Sequence, residues 1–384
     1  MRPTSDWFGA PPISLGLPKG NETLTWFAHG SCAHQKKPQA VWRTLVGLAP
    51  QLFLFNGDIV YGDCTNSSYC GDLPTAWRDL FGNANFQAAT RALPMMGMLD
   101  DHDYGANDCH MGVPEYESWK AYAKDIFLER FGVPSSDERR FREGLYTHRT
   151  FGPAGRRTQL VLLDTRWFRS KFLETPCPYC PGKERYVPYN ESNHPSPSPS
   201  MLGETQWRWL EGVLREPADL RIVTSTVQVL AMNHGWERWG LIPSEIGRLL
   251  RLLNATRANG VILLSGDRHT GGIYRLDAGD ERAFGAASPY PLYEVTSSSL
   301  THSYRTSEAE ASTLRLGNLT HENNFGTVRV DWEARRVTLD LRASDDCGLS
   351  KQEWAEVCEA HDGEAGRILM NVTISLDALQ PPRS

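Results

Sequence analysis

The stretch MMGMLDDHDYGAND, residues 95–108, sets four acids and one histidine directly behind a short apolar run. An apolar run of this length reads as a buried strand. Charge left unpaired beside a core is costly, so a positive partner belongs there, and a metal ion is the obvious candidate. The remaining ligands must come from elsewhere in the chain.

Other apolar runs end in the same way. LTWFAH (residues 24–29) leads into HGSCAHQ with Cys32, and QLFLFN (51–56) leads into NGDIVYGD with Asp58 and Tyr61. GVILLS (260–265) leads into SGDRHTGG with Asp267 and His269, while the opening stretch supplies Asp101 and His102. Open α/β sheets bind ligands at the carboxyl ends of their strands, so these loops are expected to converge on one crevice. Carboxylate, imidazole, thiolate and phenolate form a mixed set suited to two cations of different character. Two cations about 3.5–4 Å apart clamp a phosphoryl group, and a carboxylate must bridge them. Asp58 is the expected bridge, because it follows a buried strand and a glycine that lets the backbone turn sharply.

Alternating strand and helix patterns through the first two-thirds predict a layered α/β fold. Further strands are expected over 93–99, 159–164 and 220–225, and helices over about 39–47 and within YESWKAYAKDIFLERF (116–131), where Trp119, Ala123, Ile126 and Phe127 share a face. Trp207, Leu210 and Leu214 form the inner face of another helix, and SEIGRLLRLLNATRANG (244–260) starts one with a serine cap. After Gly271 strand follows strand and completes the sheet. No repeat is visible, the Pro- and Ser-rich piece 188–200 reads as an exposed loop, and the chain reads as one domain over 1–384.

A net charge of -6, with 40 basic against 46 acidic residues, leaves no basic stripe for nucleic acid. No run is long enough to span a bilayer, and MRPTSDWFGAPPISLG has no signal-peptide pattern. Acceptor sequons at Asn21, Asn66, Asn190, Asn254, Asn318 and Asn371, with eight cysteines, nonetheless point to a secreted glycoprotein whose leader has been removed and an initiator Met added. Cys64 with Cys70, and Cys347 with Cys358, are plausible disulfides, while Cys109 is expected to be free. The CPYC at Cys177 and Cys180 is read as a local staple, since a closed zinc site needs two more ligands.

Taken in order, GSCAHQ, LFNGDIVYGD, LDDHDYGAND, LLDTRWFR, an E-x-W-x-x-x-P-x-E pattern over 237–245 and LLSGDRH resemble the PhoD-like metallophosphatases. These form the alkaline phosphatase D branch of the calcineurin-like metallophosphoesterases. The resemblance runs from about residue 24 to 277, with terminal strands completing the sheet to about 376. It implies a four-layer α/β fold, two packed mixed β-sheets flanked by helices, with a dinuclear centre at strand ends. It further implies an Fe3+ site of Cys32, Asp58, Tyr61 and His269, whose phenolate would give a charge-transfer colour. A Ca2+ site would use Asp58, Asp101 and Asp267, all-oxygen ligands that suit a hard cation.

His102 is the candidate to protonate the leaving alkoxide or stabilise phosphoryl oxygens. Asn107 and Gln228 are candidates to position phosphate, and Arg268 either touches it or points away. The expected activity is hydrolysis of phosphate monoesters, and of diesters as an extension, by a metal-bound hydroxide with no phosphoenzyme. The expected partner is a small phosphate ester; oligomeric state is left open. The alternatives are a phospholipase D-like phosphodiesterase on the same scaffold and a non-catalytic phosphate-binding glycoprotein. Plainer readings stand beside the ligands: Gly-Asp is common turn chemistry, Cys32 has seven other cysteines to pair with, Tyr61 suits ordinary packing, and His29 reads as structural. The Trp-rich WERWG (236–240) either lines the substrate mouth or packs at its rim.

Overall fold

A computed structural model describes residues 12–382 except 14, 65–69, 179–183, 191, 194, 196, 282–283, 305–309, 311 and 345–365. The first half runs β1 (Trp26–Gly30), α1 (Val41–Leu48), β2 (Phe53–Asn56), α2 (Asp72–Gly82), α3 (Ala84–Ala92), β3 (Met95–Met98), α4 (Asp101–Tyr104) and α5 (Pro114–Arg130). It continues through β4 (Thr147–Phe151), β5 (Thr158–Leu162), the short pair β6 (Leu173–Glu174) and β7 (Tyr186–Val187), and α6 (Gly203–Arg215). Then come β8 (Leu220–Thr224), α7 (Pro243–Thr256), β9 (Val261–Ser265), β10 (Gly271–Leu276), β11 (Leu292–Ser297), β12 (Arg315–Thr320), β13 (Asn324–Asp331), β14 (Arg336–Ala343) and β15 (Ile368–Ser375).

Two mixed sheets result. One has the order β15-β14-β13-β1-β2-β3, the other β12-β10-β11-β9-β8-β5-β4. The strands β1, β2 and β3 are mutually parallel, as are β5, β8, β9 and β11. These parallel strands are largely apolar and covered on both faces: every residue of Phe53–Asn56, Leu220–Thr224 and Val261–Ser265 is buried. That is the signature of strands covered on both sides. The strands after Gly271 divide between the sheets, β10 to β12 joining one and β13 to β15 the other, so they complete both members of the expected pair of sheets.

One helix start departs from expectation. Pro243 takes the first position of α7, with Ile242 before it and no side-chain cap, so Ser244 lies inside the helix. Proline's fixed φ and missing N–H suit that position, and it displaces the serine. The inner face of α6 is as expected, with Trp207, Leu210 and Leu214 buried.

The two sheets meet where their parallel strands end. Ser31 N–H donates to Ser297 O at 3.1 Å, and Leu300 N–H donates to Ser31 O at 3.0 Å. At Gly266 a Cβ would lie 2.4 Å from Ser31 Oγ and 2.8 Å from Asn56 O, so the approach needs glycine. At Gly57, φ is +95° and a Cβ would lie 2.5 Å from Asp100 Cβ. The loops after β1, β2, β3 and β9 are thereby pressed together.

Candidate metal centre

The loops after β1, β2 and β9 deliver side chains inward through unusual backbone. Among the described residues, non-glycine positions with positive φ include Cys32 (64°), Asp58 (48°), Asp108 (56°), Asp267 (71°) and His269 (51°). Left-handed backbone costs a non-glycine residue about 1–3 kcal/mol and persists where surrounding structure enforces it, often at functional sites.

Asp58 stands at the middle. Its Oδ2 lies 3.4 Å from Cys32 Sγ and accepts the Tyr61 hydroxyl at 3.1 Å. Tyr61 Oη is also 3.4 Å from His269 Nε2, and Ser298 Oγ lies 3.1 Å from Cys32 Sγ while accepting His269 N–H at 2.8 Å. Ligand atoms of Cys32, Asp58 and His269 lie within 4.8 Å of one another. So do those of Asp58, Asp101 and His102, and those of Asp100, Asp101 and Asp267. The six residues expected as ligands therefore share one neighbourhood, with Asp58 common to a sulfur- and nitrogen-containing group and to an acidic one.

The electrostatics call for positive charge. Burial, reinforced by Cys32 and Asp101, pushes the Asp58 carboxyl well above its usual range. Burial with Glu237, Asp100 and Asp101 does the same to Asp267. Burial raises the Cys32 thiol to about 11, against hydrogen bonds from Ser298 and Ser31. It also lifts the Tyr61 phenol well above its ordinary value, with Asp58 adding to the effect. His269 is held well below the usual imidazole value by burial and by His302, which favours the neutral ligand form.

The residues present fit cations. Asp58 Oδ1, Asp100 Oδ2, Asp101 Oδ1 and His269 Nδ1 are buried without a hydrogen-bond partner. Buried polar atoms are normally satisfied, so four such atoms clustered on acids and imidazole point to an ion. The donor types divide as the chemistry requires: sulfur, nitrogen and phenol oxygen around Cys32, and carboxylate oxygens around Asp101 and Asp267.

His102 sits in the first turn of α4, whose Asp100 and Asp103 form a reciprocal cap. Its Nδ1 lies 2.6 Å from Asp63 Oδ1, and its ring packs 4.2 Å from that of Tyr61. Burial disfavours the imidazolium, but Asp101, Asp58 and Asp63 outweigh it and raise the pKa well above the usual value. Asp63 had no role in the sequence reading, although it closes the NGDIVYGD motif.

A buried arginine was also missed. Arg166 follows β5, is fully buried, and pairs through Nε with Asp100 and through Nη1 with Glu237 Oε2 at 2.6 Å. Its Nη2 lies 3.5 Å from Asp267 and 3.7 Å from Asp101. Arg169 meets the other Glu237 oxygen at 2.5 Å. Both arginines stand in LLDTRWFR, and Glu237 opens the E-x-W-x-x-x-P-x-E pattern. The available signal was a pair of arginines directly after a buried strand.

Gln228 is a correction. It is fully buried, its amide nitrogen donates to Tyr274 Oη at 3.0 Å and Thr296 Oγ1 at 2.9 Å, and its oxygen lies 3.1 Å from His234 Nε2. With the amide occupied, Gln228 holds strands together and does not reach the centre. Asn107 does line the cavity over the centre. Arg268 lines it too, but its guanidinium is paired with Glu310. His29 is structural, buried and 3.0 Å from the Asn56 amide.

The cysteines sort themselves. Cys64 is bonded to Cys70, Cys32 and Cys109 are free and buried, and Cys177 is in a disulfide, which excludes a zinc site there. Cys180, Cys347 and Cys358 lie outside the described residues. No helix among the described residues is long and apolar enough to cross a membrane.

Comparison with known proteins bears on the fold and the family. Alkaline phosphatase D of Bacillus subtilis (strain 168) is 24% identical over 208 residues, a match covering 49% of this chain and 33% of that protein. A solved structure titled "Structure of PhoD" superposes with a TM-score of 0.70 at 17% identity, covering 96% of this chain and 73% of the other. The model of the family described as PhoD-like phosphatase matches residues 27–341, and a match over that much of the sequence means that the chain belongs to this family.

Proposed function

We propose that the chain is a metal-dependent phosphoesterase that hydrolyses phosphate monoesters, and diesters by the same centre, outside the cytoplasm. The observation that carries this reading is the convergence of Cys32, Asp58, Asp267 and His269, each in left-handed backbone, on adjoining groups of donors linked through Asp58 and Asp101. Cys32, Asp58, Tyr61 and His269 would hold Fe3+, and Asp58, Asp101 and Asp267 would hold Ca2+. A cation pair bound there supplies Lewis-acid neutralisation of phosphoryl charge and activation of water for in-line attack.

The chain's own part is proton placement. Asp63 accepts from His102 Nδ1, which leaves Nε2 as the ring nitrogen free to move a proton. With Nδ1 held by Asp63 and the ring on the cavity lining, His102 is suited to protonate the leaving alkoxide. Asn107, exposed on the cavity lining, is suited to orient the phosphoryl group. An extracytoplasmic location is supported by the Cys64–Cys70 bridge and by the exposure of Asn21, Asn190, Asn254, Asn318 and Asn371 in their sequons; Asn66 lies outside the described residues.

The test is elemental analysis of purified protein together with hydrolysis of p-nitrophenyl phosphate before and after chelation. Chelation should abolish turnover and lower the melting temperature, because an ion bound only by the folded state stabilises it. Restoring single cations should recover both. Full turnover in protein shown to be metal-free would end the proposal.

Asp63→Asn should reduce kcat by roughly 10–100-fold, the usual scale for removing a carboxylate that orients a working histidine. Metal content should be unchanged, since Asp63 belongs to none of the donor groups around Asp58. A pH profile in which the acidic form of the enzyme loses its advantage would attribute the effect to His102.

A further inference from the structure

The cavity over the centre has a volume of about 870 Å³. Pockets of roughly 300–1,000 Å³ take entire drug-sized ligands, so a phosphoryl group fills only one corner of this one. What lines the remainder determines which leaving group is accepted.

Much of that lining is aromatic. The ring of His34 stacks on Tyr61 at 4.6 Å and 13°, Tyr61 meets His302 at 5.4 Å, and His302 meets His269 at 4.3 Å. Tyr304 ends the series, 4.4 Å from His269. The other rings are covered by neighbours, whereas Tyr304 is 59% exposed. Of the large hydrophobic side chains exposed among the described residues, it is the one that lines the cavity. Its backbone is fixed: N–H donates to His269 O at 3.0 Å, and its carbonyl oxygen lies 3.0 Å from His321 Nδ1.

Trp236 also lines the cavity, with the guanidinium of Arg185 at 5.5 Å and that of Arg268 at 5.6 Å from its ring. Both arginines are already matched, Arg185 with Asp108 at 2.5 Å and Arg268 with Glu310. They hold the indole in place and have little charge left for a second anionic group. The lining favours a flat ring over a polyanion.

We propose that this protein selects phosphate esters whose leaving group carries a planar aromatic ring, with Tyr304 as the surface on which that ring stacks. The proposal rests on the phosphoesterase reading above. Stacking of a base on an aromatic side chain is sequence-tolerant and strong enough to decide between substrates.

The experiment compares adenosine 5′-monophosphate with ribose 5-phosphate on metal-loaded protein. Both break the same P–O bond to a primary sugar oxygen, so they differ in the ring and not in the chemistry. Wild type should prefer the nucleotide by about tenfold in kcat/KM, the scale of one base–aromatic stack. Tyr304→Ala should bring the ratio near one, through the KM for the nucleotide, and Tyr304→Phe should keep it within about twofold of wild type. If Tyr304→Ala lowers the melting temperature, Tyr304→Leu keeps apolar bulk without a π face and should show the same lost ratio. A wild type without preference, or an alanine or leucine variant that keeps the wild-type ratio, overturns the proposal. Hydrolysis of neither ester by wild type would instead remove the phosphoesterase reading, and this inference with it.

Discussion

Asp58→Asn should lose at least about 10³-fold in kcat, roughly 4 kcal/mol of transition-state stabilisation, while folding as well as the wild type. Asparagine is chosen over alanine because it tolerates the left-handed backbone that Asp58 adopts, at φ 48°. It keeps the shape and removes the charge. Asp58 is the residue common to both donor groups, so its loss should also lower the metal content of purified protein. The effect on the metal-free fold has the opposite sign. Asp58 Oδ1 is buried without a partner, and Cys32 and Asp101 both oppose ionisation of the group. Removing such a charge should leave the chelated protein at least as stable as chelated wild type, measured by urea unfolding, since an uncompensated buried carboxylate is a cost to the fold. Retained metal with retained turnover would remove Asp58 from the bridging position. A large stability loss in chelated protein would instead make it a structural residue.

The sequence made the candidate ligands legible because of a regularity of α/β folds. Apolar runs that stop at acids, thiols or imidazoles mark strand ends, and parallel strand ends gather in space. Cys32, Asp58, Asp101, Asp267 and His269 were each singled out through this rule, and the observed sheets bring them together: β1, β2 and β3 run parallel, with β3 at the sheet edge, and β9 runs parallel between β8 and β11. Gln228 misled for the same reason. It also follows a buried parallel strand, but its amide turns back to Tyr274, Thr296 and His234, and nothing in the string STVQV encodes that direction. The division of the late strands between two sheets was equally hidden, because alternation says that β10 to β15 are strands and not which edge each one joins. Backbone strain was invisible too. Gly57 and Gly266 hint at sharp turns, yet nothing in the sequence marks the positive φ of Cys32 and His269.

Arg166→Met should destabilise the protein by about 3–5 kcal/mol, the range for removing one partner of a buried ionic network. Such a network holds specific geometry, and here four acids lie around one guanidinium, with Arg169 sharing only Glu237. Arg166 pairs with Asp100 and Glu237 and stands 3.5 Å from Asp267 and 3.7 Å from Asp101. Without it, Asp100 and Glu237 are left buried with less compensation; burial already raises Glu237 to about 8 against the pull of Arg166 and Arg169. Arg166→Lys should not rescue, because the observed contacts use separate faces of a planar fork, Nε toward one carboxylate and Nη1 toward another, which a single ammonium cannot reproduce. The loss should be smaller when cations are present, since bound ions would take over part of the neutralisation, and added cation should therefore raise the urea midpoint of Arg166→Met more than that of wild type. Equal gains in the two proteins would mean that Arg166 and the cations do not share the same acids, and that the guanidinium only ties strand ends together.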